Sequence, residues 1–307
     1  MKKNKRYDSQ YFVAAGISLL LLTAVFQLSA RTLPGFGTWY AHHIYPWIVE
    51  GVGRLTGLLP FSVAEMGLYG LLCLLFLDVV RLSAVLIRPE TAKILTVIGR
   101  RWLLIVGTLL FLYTVNCGIN YYASSFSSYA GLEDGTYTEE ELEALCSDLV
   151  ELVNESAKSG RQFYRENRSA WRAEAVTAMQ AAGEQFSCLG GFYPKPKEVL
   201  VSQILSVQQL CGVYSPFTVE ANYNGDMPDY NVPHTLCHEL SHLKGFMRED
   251  EANFIGYLAC ISSENEAFRY SGYLTGWVYA GNALARADRK RYIELTKQLC
   301  GEARRGP

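Results

Sequence analysis

A chain of 307 residues, half of them apolar, has room for a membrane part and for one further domain large enough to bury a core. Its formal net charge of −2 excludes the strongly basic surface that nucleic acid requires, so no nucleic-acid partner is expected. Apolar residues concentrate before residue 125.

Tyr11 to Ala30 is free of charge and close to the roughly 20 residues that cross a bilayer; Trp102 to Tyr122 is a second such run. Between them, Phe61 to Val80, extending toward Ile87, is equally apolar but contains Glu65 and Asp78, with Arg81 one turn beyond Asp78. It reads as a third span whose ionisable residues must be paired or lie near the interface, the alternative being a buried soluble helix. Lys2, Lys3, Lys5 and Arg6 precede the first span, and Arg81, Arg88, Lys93, Arg100 and Arg101 lie before the last, whereas 31–60 offers only Arg31 and Arg54. Because lysine and arginine mark the cytoplasmic side, the amino terminus is expected inside and everything after residue 123 outside. The first span has a long apolar core and no small-residue cleavage pattern before Arg31, which predicts an uncleaved anchor. The expectation is a multi-pass protein of the cell membrane: a membrane domain over 1–122, with the lipid bilayer as partner, and an extracytoplasmic domain over 123–307. Trp39, Tyr40, His42, His43, Tyr45 and Trp47 crowd the stretch after the first span, a density that suits the headgroup level. His42 and His43 are adjacent, so on a helix they point in different directions and make a poor metal pair.

The second part reads mainly as helices with at least one strand, a mainly α (α+β) class. Thr138 to Ser156 opens with a capping box, Thr138 and Glu141, and repeats Leu142, Leu145, Leu149 and Leu152. Ser169 to Phe186 is a second helix, ending near Gly190 and Gly191. Phe217, Val219, Ala221 and Tyr223 then alternate with Thr218, Glu220 and Asn222 before an Asn224-Gly225 turn, which predicts a strand. Pro233 suits the first turn of the next helix, Leu236, Leu240 and Leu243 form its buried stripe, and Gly245 ends it. Helices from Glu249 to about Ser262, Glu264 to Arg286 and Arg289 to Cys300 complete the chain.

The helix that Pro233 opens and Gly245 ends carries His238-Glu239-Leu240-Ser241-His242. His238 and His242 lie one turn apart on one face, where two imidazoles can share a tetrahedral Zn²⁺ while Glu239 reaches a water beside it. The bland reading is a surface helix with solvated histidines; the preceding strand, the buried stripe, the glycine break and the carboxylate-rich helix that follows all favour a metal site. Glu249 and Glu251 compete as third ligand, since residues two apart on a helix face opposite ways. Glu249 shares its face with Ala252, Asn253 and Gly256, small residues that permit close approach, whereas Glu251 lies with Ile255 and Leu258. Asn253, one turn beyond Glu249, would orient a ligand. His234 is assigned to the cleft wall, and Cys237, about 100° round the helix from His238, to the core.

The HELSH motif followed by Glu249-Asp250-Glu251-Ala252-Asn253 resembles the zincin superfamily of gluzincin type, in which the helix after HExxH supplies the third ligand. Its Glu-x-x-Ala-Asn form is similar to that of the membrane-bound CaaX-endopeptidase and heat-shock protease family and of ImmA-like peptidases, which carries the ligand role to Glu249. Six residues separate His242 from Glu249, a tighter link than most gluzincins use, and Asn253 stands where aspartate is usual. Three spans followed by an exported zincin-like tail also resemble a family of bacterial membrane proteins known only as a domain of unknown function.

The expected activity is that of a zinc metalloendopeptidase acting on a peptide or protein substrate, with Glu239 as general base. The strand, through Thr218, Glu220 and Asn222, is expected to pair with the substrate as an edge strand. Tyr273 is the expected oxyanion donor, with Tyr270 and Tyr279 next. The alternatives are a membrane sensor that cuts one partner and a non-catalytic scaffold around a structural metal. Of eight cysteines, Cys73 and Cys117 fall in spans, and the other six permit disulfides without forming the pattern of a small cysteine framework.

Overall fold

The computed structural model describes residues 2–86, 88, 91–132, 135–160, 168–301 and 303. The chain separates into two compact units, one of Met1–Ala123 with Ser215–Val219, the other of Ser124–Tyr214 with Glu220–Pro307.

The first unit contains α1 (Lys2–Thr32), α2 (Phe36–His43), α3 (Tyr45–Ile48), α4 (Arg54–Gly57), α5 (Val63–Ser83) and α6 (Thr91–Tyr113). Three stretches, Gln10–Thr32, Val63–Ser83 and Thr91–Tyr122, are long and apolar enough to cross a membrane, which makes this a multi-pass membrane protein. The last begins eleven residues before the expected Trp102, so Lys93, Arg100 and Arg101 ride on the helix itself. The second span's helix passes Val80 and ends at Ser83, short of the extension toward Ile87, which itself lies outside the described residues. The aspartate within the second span is paired, as its burial requires: Asp78 accepts a hydrogen bond from Trp102 Nε1 at 2.8 Å and forms an ion pair with Arg101, both on α6, rather than with Arg81. Glycines bring α1 and α6 together. A Cβ at Gly107 would stand 2.9 Å from the Gly16 carbonyl oxygen, the small-residue approach that membrane helices use in place of hydrophobic driving force. Beyond Tyr113 the helix widens to a π turn over Thr114–Gly118, where the Tyr40 hydroxyl donates to the Val115 carbonyl at 2.9 Å. Not all of the aromatic belt is outside: Trp39 and Trp47 are exposed, but Tyr40 and Tyr45 are buried.

The second unit contains α7 (Phe126–Ala130), α8 (Glu139–Gly160), α9 (Arg168–Gln185), β1 (Lys197–Glu198), α10 (Ser202–Val207), β2 (Gly212–Ser215), β3 (Glu220–Tyr223), α11 (Val232–Lys244), α12 (Glu249–Ser262), α13 (Glu266–Ala287) and α14 (Arg289–Thr296). The capping box forms as the residue types require, with Glu141 N–H donating to Thr138 Oγ1 at 3.2 Å and Thr138 N–H to Glu141 Oε2 at 2.8 Å. The buried stripe of α8 differs from the leucine repeat. Leu142, Cys146, Leu149, Val150 and Val153 face α13 and α14, while Leu145 is exposed, because the 3.6-residue period selects the smaller residues between the leucines.

The sheet has the order β1-β3-β2, with β1 parallel to β3 and Lys197 beside Asn222. The predicted strand is shorter than its alternation suggests. Val219 is buried with φ at +54°, which breaks the extended run before Glu220. β3 is also the central strand and all four of its residues are buried, so it offers no free edge to a peptide. Glu220 is bound to Lys197 in an ion pair in which both side chains are 2% exposed, Asn222 donates to the Val213 carbonyl at 3.4 Å, and Thr218 falls outside the strand, donating to Ser215 Oγ at 3.0 Å. The expected substrate contacts of Thr218, Glu220 and Asn222 are therefore corrected: a central strand spends its backbone groups on its neighbours.

Substituting Lys197→Met leaves the buried Glu220 carboxylate without this cation and is expected to cost about 3–5 kcal/mol of stability, most of it recovered in the Lys197→Met/Glu220→Leu double variant. Denaturation of the detergent-solubilised full chain measures both; equal loss in the single and double variants would refute the assignment.

Candidate metal centre

Helix α11 begins with Pro233 in its first turn and stops at Gly245, whose φ of +111° no side chain would favour. Leu236, Leu240 and Leu243 are fully buried along one side. The turn at Gly245 brings the Phe246 carbonyl back over the helix end, where it lies 2.8 Å from His242 Nδ1. A donor proton on Nδ1 leaves Nε2 of His242 as a lone-pair nitrogen.

Three residues later α12 starts at Glu249. Its carboxylate reaches both histidines, with Oε2 3.3 Å from His238 Nε2 and Oε1 3.5 Å from His242 Nε2. One ligand atom from each of the three residues lies within 4.8 Å of the others, and this is the one such group among the described residues. The donor set can be tested against a cation. Bonds of about 2.0–2.2 Å to a tetrahedral Zn²⁺ place ligand atoms roughly 3.3–3.6 Å apart, and the two imidazole–carboxylate separations fall in that interval. Two imidazole nitrogens and a carboxylate are also the ligand types such an ion takes, so the residues fit the group.

Burial and neighbouring charge set the protonation tendencies. Burial pulls His238 down, but its hydrogen bond with Glu249 and the charges of Glu239 and Glu249 outweigh it, leaving the pKa raised. His242 is lowered, first by burial and then by His238. The hydrogen bond from His238 holds Glu249 below its usual value. Glu239 is buried, and desolvation pushes its carboxyl up to about 8, with Glu249 adding and His238 and the Tyr214 backbone opposing. Its Oε2 has no hydrogen-bond partner among the described residues, an exposed claim on a proton inside a dry wall.

Of the two candidate third ligands, Glu251 is engaged elsewhere. Its Oε1 accepts the backbone N–H of Phe126 at 3.0 Å, fastening α7, and only Glu249 meets the histidines. The Asn253 side chain lies beside both the His238 ring and the Tyr279 hydroxyl, raising the proton affinity of the first and lowering that of the second. His234 is more than cleft wall: it is buried, its Nε2 lies 3.1 Å from the Asn253 carbonyl, and burial depresses its pKa to about 4. Cys237 is fully buried and hydrogen-bonds with Cys260.

Tyr273 is not among the residues brought together at the histidines. It packs against the apolar cluster of α8, α13 and α14 with Tyr257 beside it, and among the described residues no hydrogen bond links it to the histidines or to Glu239. Tyr279 borders the site instead, beside Asn253 and within the field of Glu249. Six residues turn a helix by about 240°, which is why one tyrosine enters the core and the other the cleft. The antiparallel run of α12 into α13 was the available signal, since it sets the start of α12 against the end of α13. Two further neighbours, Gly212 and Tyr214 of β2, had no such signal. A Cβ at Gly212 would stand 2.5 Å from Glu239 Oε1, so a larger residue there would displace the carboxylate from its present position.

Replacing Glu251 by Ala is expected to lower stability by about 1–3 kcal/mol through the lost Phe126 bond, with Co²⁺ binding by the full chain intact. Glu249→Ala should abolish Co²⁺ absorption with little loss of stability. Retention of Co²⁺ by the latter variant would remove Glu249 from the donor set.

A comparison with family models gives one match, over residues 40–305, to a family described as protein of unknown function (DUF3810). No curated protein and no solved structure matches. With the match spanning most of its length, the chain belongs to the DUF3810 family.

Proposed function

We propose that this protein is a membrane-anchored zinc metallopeptidase of gluzincin type, its polar unit on the extracytoplasmic side, which hydrolyses peptide bonds with Glu239 as general base. The observation that carries the reading is the convergence of His238, His242 and Glu249 beside a buried carboxylate that has an unused oxygen. A structural metal needs no such base, which weighs against a purely scaffolding role. The distribution of lysine and arginine supports the orientation.

Zinc bound by these three residues would supply Lewis acidity, lowering the pKa of a water toward about 7 and polarising the scissile carbonyl. Glu239 takes the proton from the attacking water at Oε2 and delivers it to the leaving amide nitrogen. Its raised proton affinity suits both steps, because a carboxylate of ordinary pKa would hold that proton too weakly. Asn253 holds the His238 ring in place, and the Phe246 carbonyl does so for His242. Tyr279, directed by Asn253, is the donor placed to meet the developing oxyanion. The substrate strand pairs along β2, an edge of the sheet, whose Gly212 and Tyr214 line Glu239; this edge takes the role first assigned to β3.

The test is zinc content and hydrolysis of an unfolded protein by the purified full chain. Glu239→Gln is expected to keep zinc and lose about 10²–10⁴-fold in turnover. Tyr279→Phe should lose on the order of 10²-fold in kcat with zinc retained, and Tyr273→Phe should match the parent. Equal activity in the parent and Glu239→Gln would end the proposal.

A further inference from the structure

From Val199 to Val219 the sequence runs for 21 residues without a single Asp, Glu, Lys, Arg or His. On a domain bathed in water such a stretch is ordinarily a core element. This one is at the surface: Leu200, Val201, Ile204, Val207, Leu210 and Val213 are all exposed, Val207 to 86%.

The hydrogen bonds of α10 show that the exposure is built rather than incidental. Ser202 is buried, donating to the Val199 carbonyl at 3.0 Å and accepting the Gly225 N–H at 2.8 Å. Ser206, one turn on, donates to Asp226 at 3.0 Å and accepts from Asn224 Nδ2 at the same distance. The serines therefore face the protein while Ile204 and Val207 face out, the reverse of the arrangement a water-exposed helix adopts. An inverted face of this kind requires an apolar medium or partner outside it.

The far end of the same run identifies that medium. Ser215–Val219 groups with the membrane unit rather than with the strands it joins, and Asn116, at the end of the third spanning stretch, donates to the Pro216 carbonyl at 2.6 Å. Phe217, in this tip, is exposed as well. A charge-free segment that carries six exposed apolar side chains, and whose last residues are held by a membrane helix, is tied by its own chain to a part of the protein that meets lipid.

We propose that residues 199–219 form a second membrane-contact surface, in which Leu200, Ile204, Val207 and Phe217 rest in the interfacial layer of the bilayer. Because the segment includes β2, one consequence, which rests on the peptidase reading above, is that the substrate is an extended chain lying at the membrane surface, such as the segment flanking another protein's span. The contact itself does not depend on that reading, and its test involves no proteolysis.

The experiment places a photoreactive benzoylphenylalanine at Leu200, Ile204 or Val207 of the full chain, reconstituted in phospholipid nanodiscs, with Phe76 on α5 as the lipid-exposed control and Tyr137 as an exposed control outside the segment. Irradiation should give phospholipid adducts, seen by mass spectrometry, at all three positions and at Phe76, in yields on the order of tenfold above Tyr137. Adducts at Phe76 without adducts at the three positions would overturn the proposal. So would adducts to protein in their place, which would assign the surface to a polypeptide partner, or a lipid yield at Tyr137 equal to theirs.

Discussion

The approach of α11 to α12 at Gly256 is the constraint on which the meeting of His238, His242 and Glu249 depends. A Cβ at that position would stand 3.2 Å from both His234 Nε2 and the His238 backbone nitrogen, so even alanine would require its neighbours to give by a few tenths of an ångström. His234 fastens the same contact by reaching the Asn253 carbonyl. Only at this separation can a carboxylate on the first turn of α12 meet two imidazoles on α11. The short link of six residues is workable because Gly245 reverses the chain in a left-handed conformation, and the same reversal presents the Phe246 carbonyl to His242. One glycine sets the distance between the helices, another sets the return path, and the ligand geometry follows from the two.

A second close approach governs the base. Glu239 is buried against β2, where the absence of a side chain at Gly212 leaves space for the carboxylate and the Tyr214 backbone gives it one hydrogen bond. Desolvation then does two things at once. It raises the proton affinity of the group, and it leaves Oε2 buried without a hydrogen-bond partner among the described residues. A solvated glutamate at the same place would be stable and chemically ordinary.

How much of this was legible before the coordinates depends on the range of the interaction. His238, Glu239 and His242 are a local pattern on one helix, and their shared face follows from its period alone. Glu249 could be preferred over Glu251 because small neighbours mark the face that can approach another helix, and the bond from Glu251 to Phe126 shows what the opposite face is for. The three spanning stretches and the capping box at Thr138 were likewise local. The failures are long-range. Alternation from Phe217 to Tyr223 announces a strand but not its place in a sheet, and β3 lies between β1 and β2 because a two-residue strand, too short to leave a pattern, pairs with it. Tyr273 and Tyr279 have similar local settings and differ only in what α8 and α12 bring against them.

The segment from Val199 to Val219 shows the same limit from another side. Composition alone marks it as apolar, and composition alone assigns it to a core. Its true character lies in the direction of two serines, which turn inward to Gly225, Asn224 and Asp226 and so commit the apolar positions between them to the outside. Burying those apolar side chains in the domain would have required exposing the serines and abandoning the bonds that fasten the turn after β3. Polar satisfaction inside the domain thus leaves apolar side chains outside it, and the same run of sequence leads into the strand that lines Glu239.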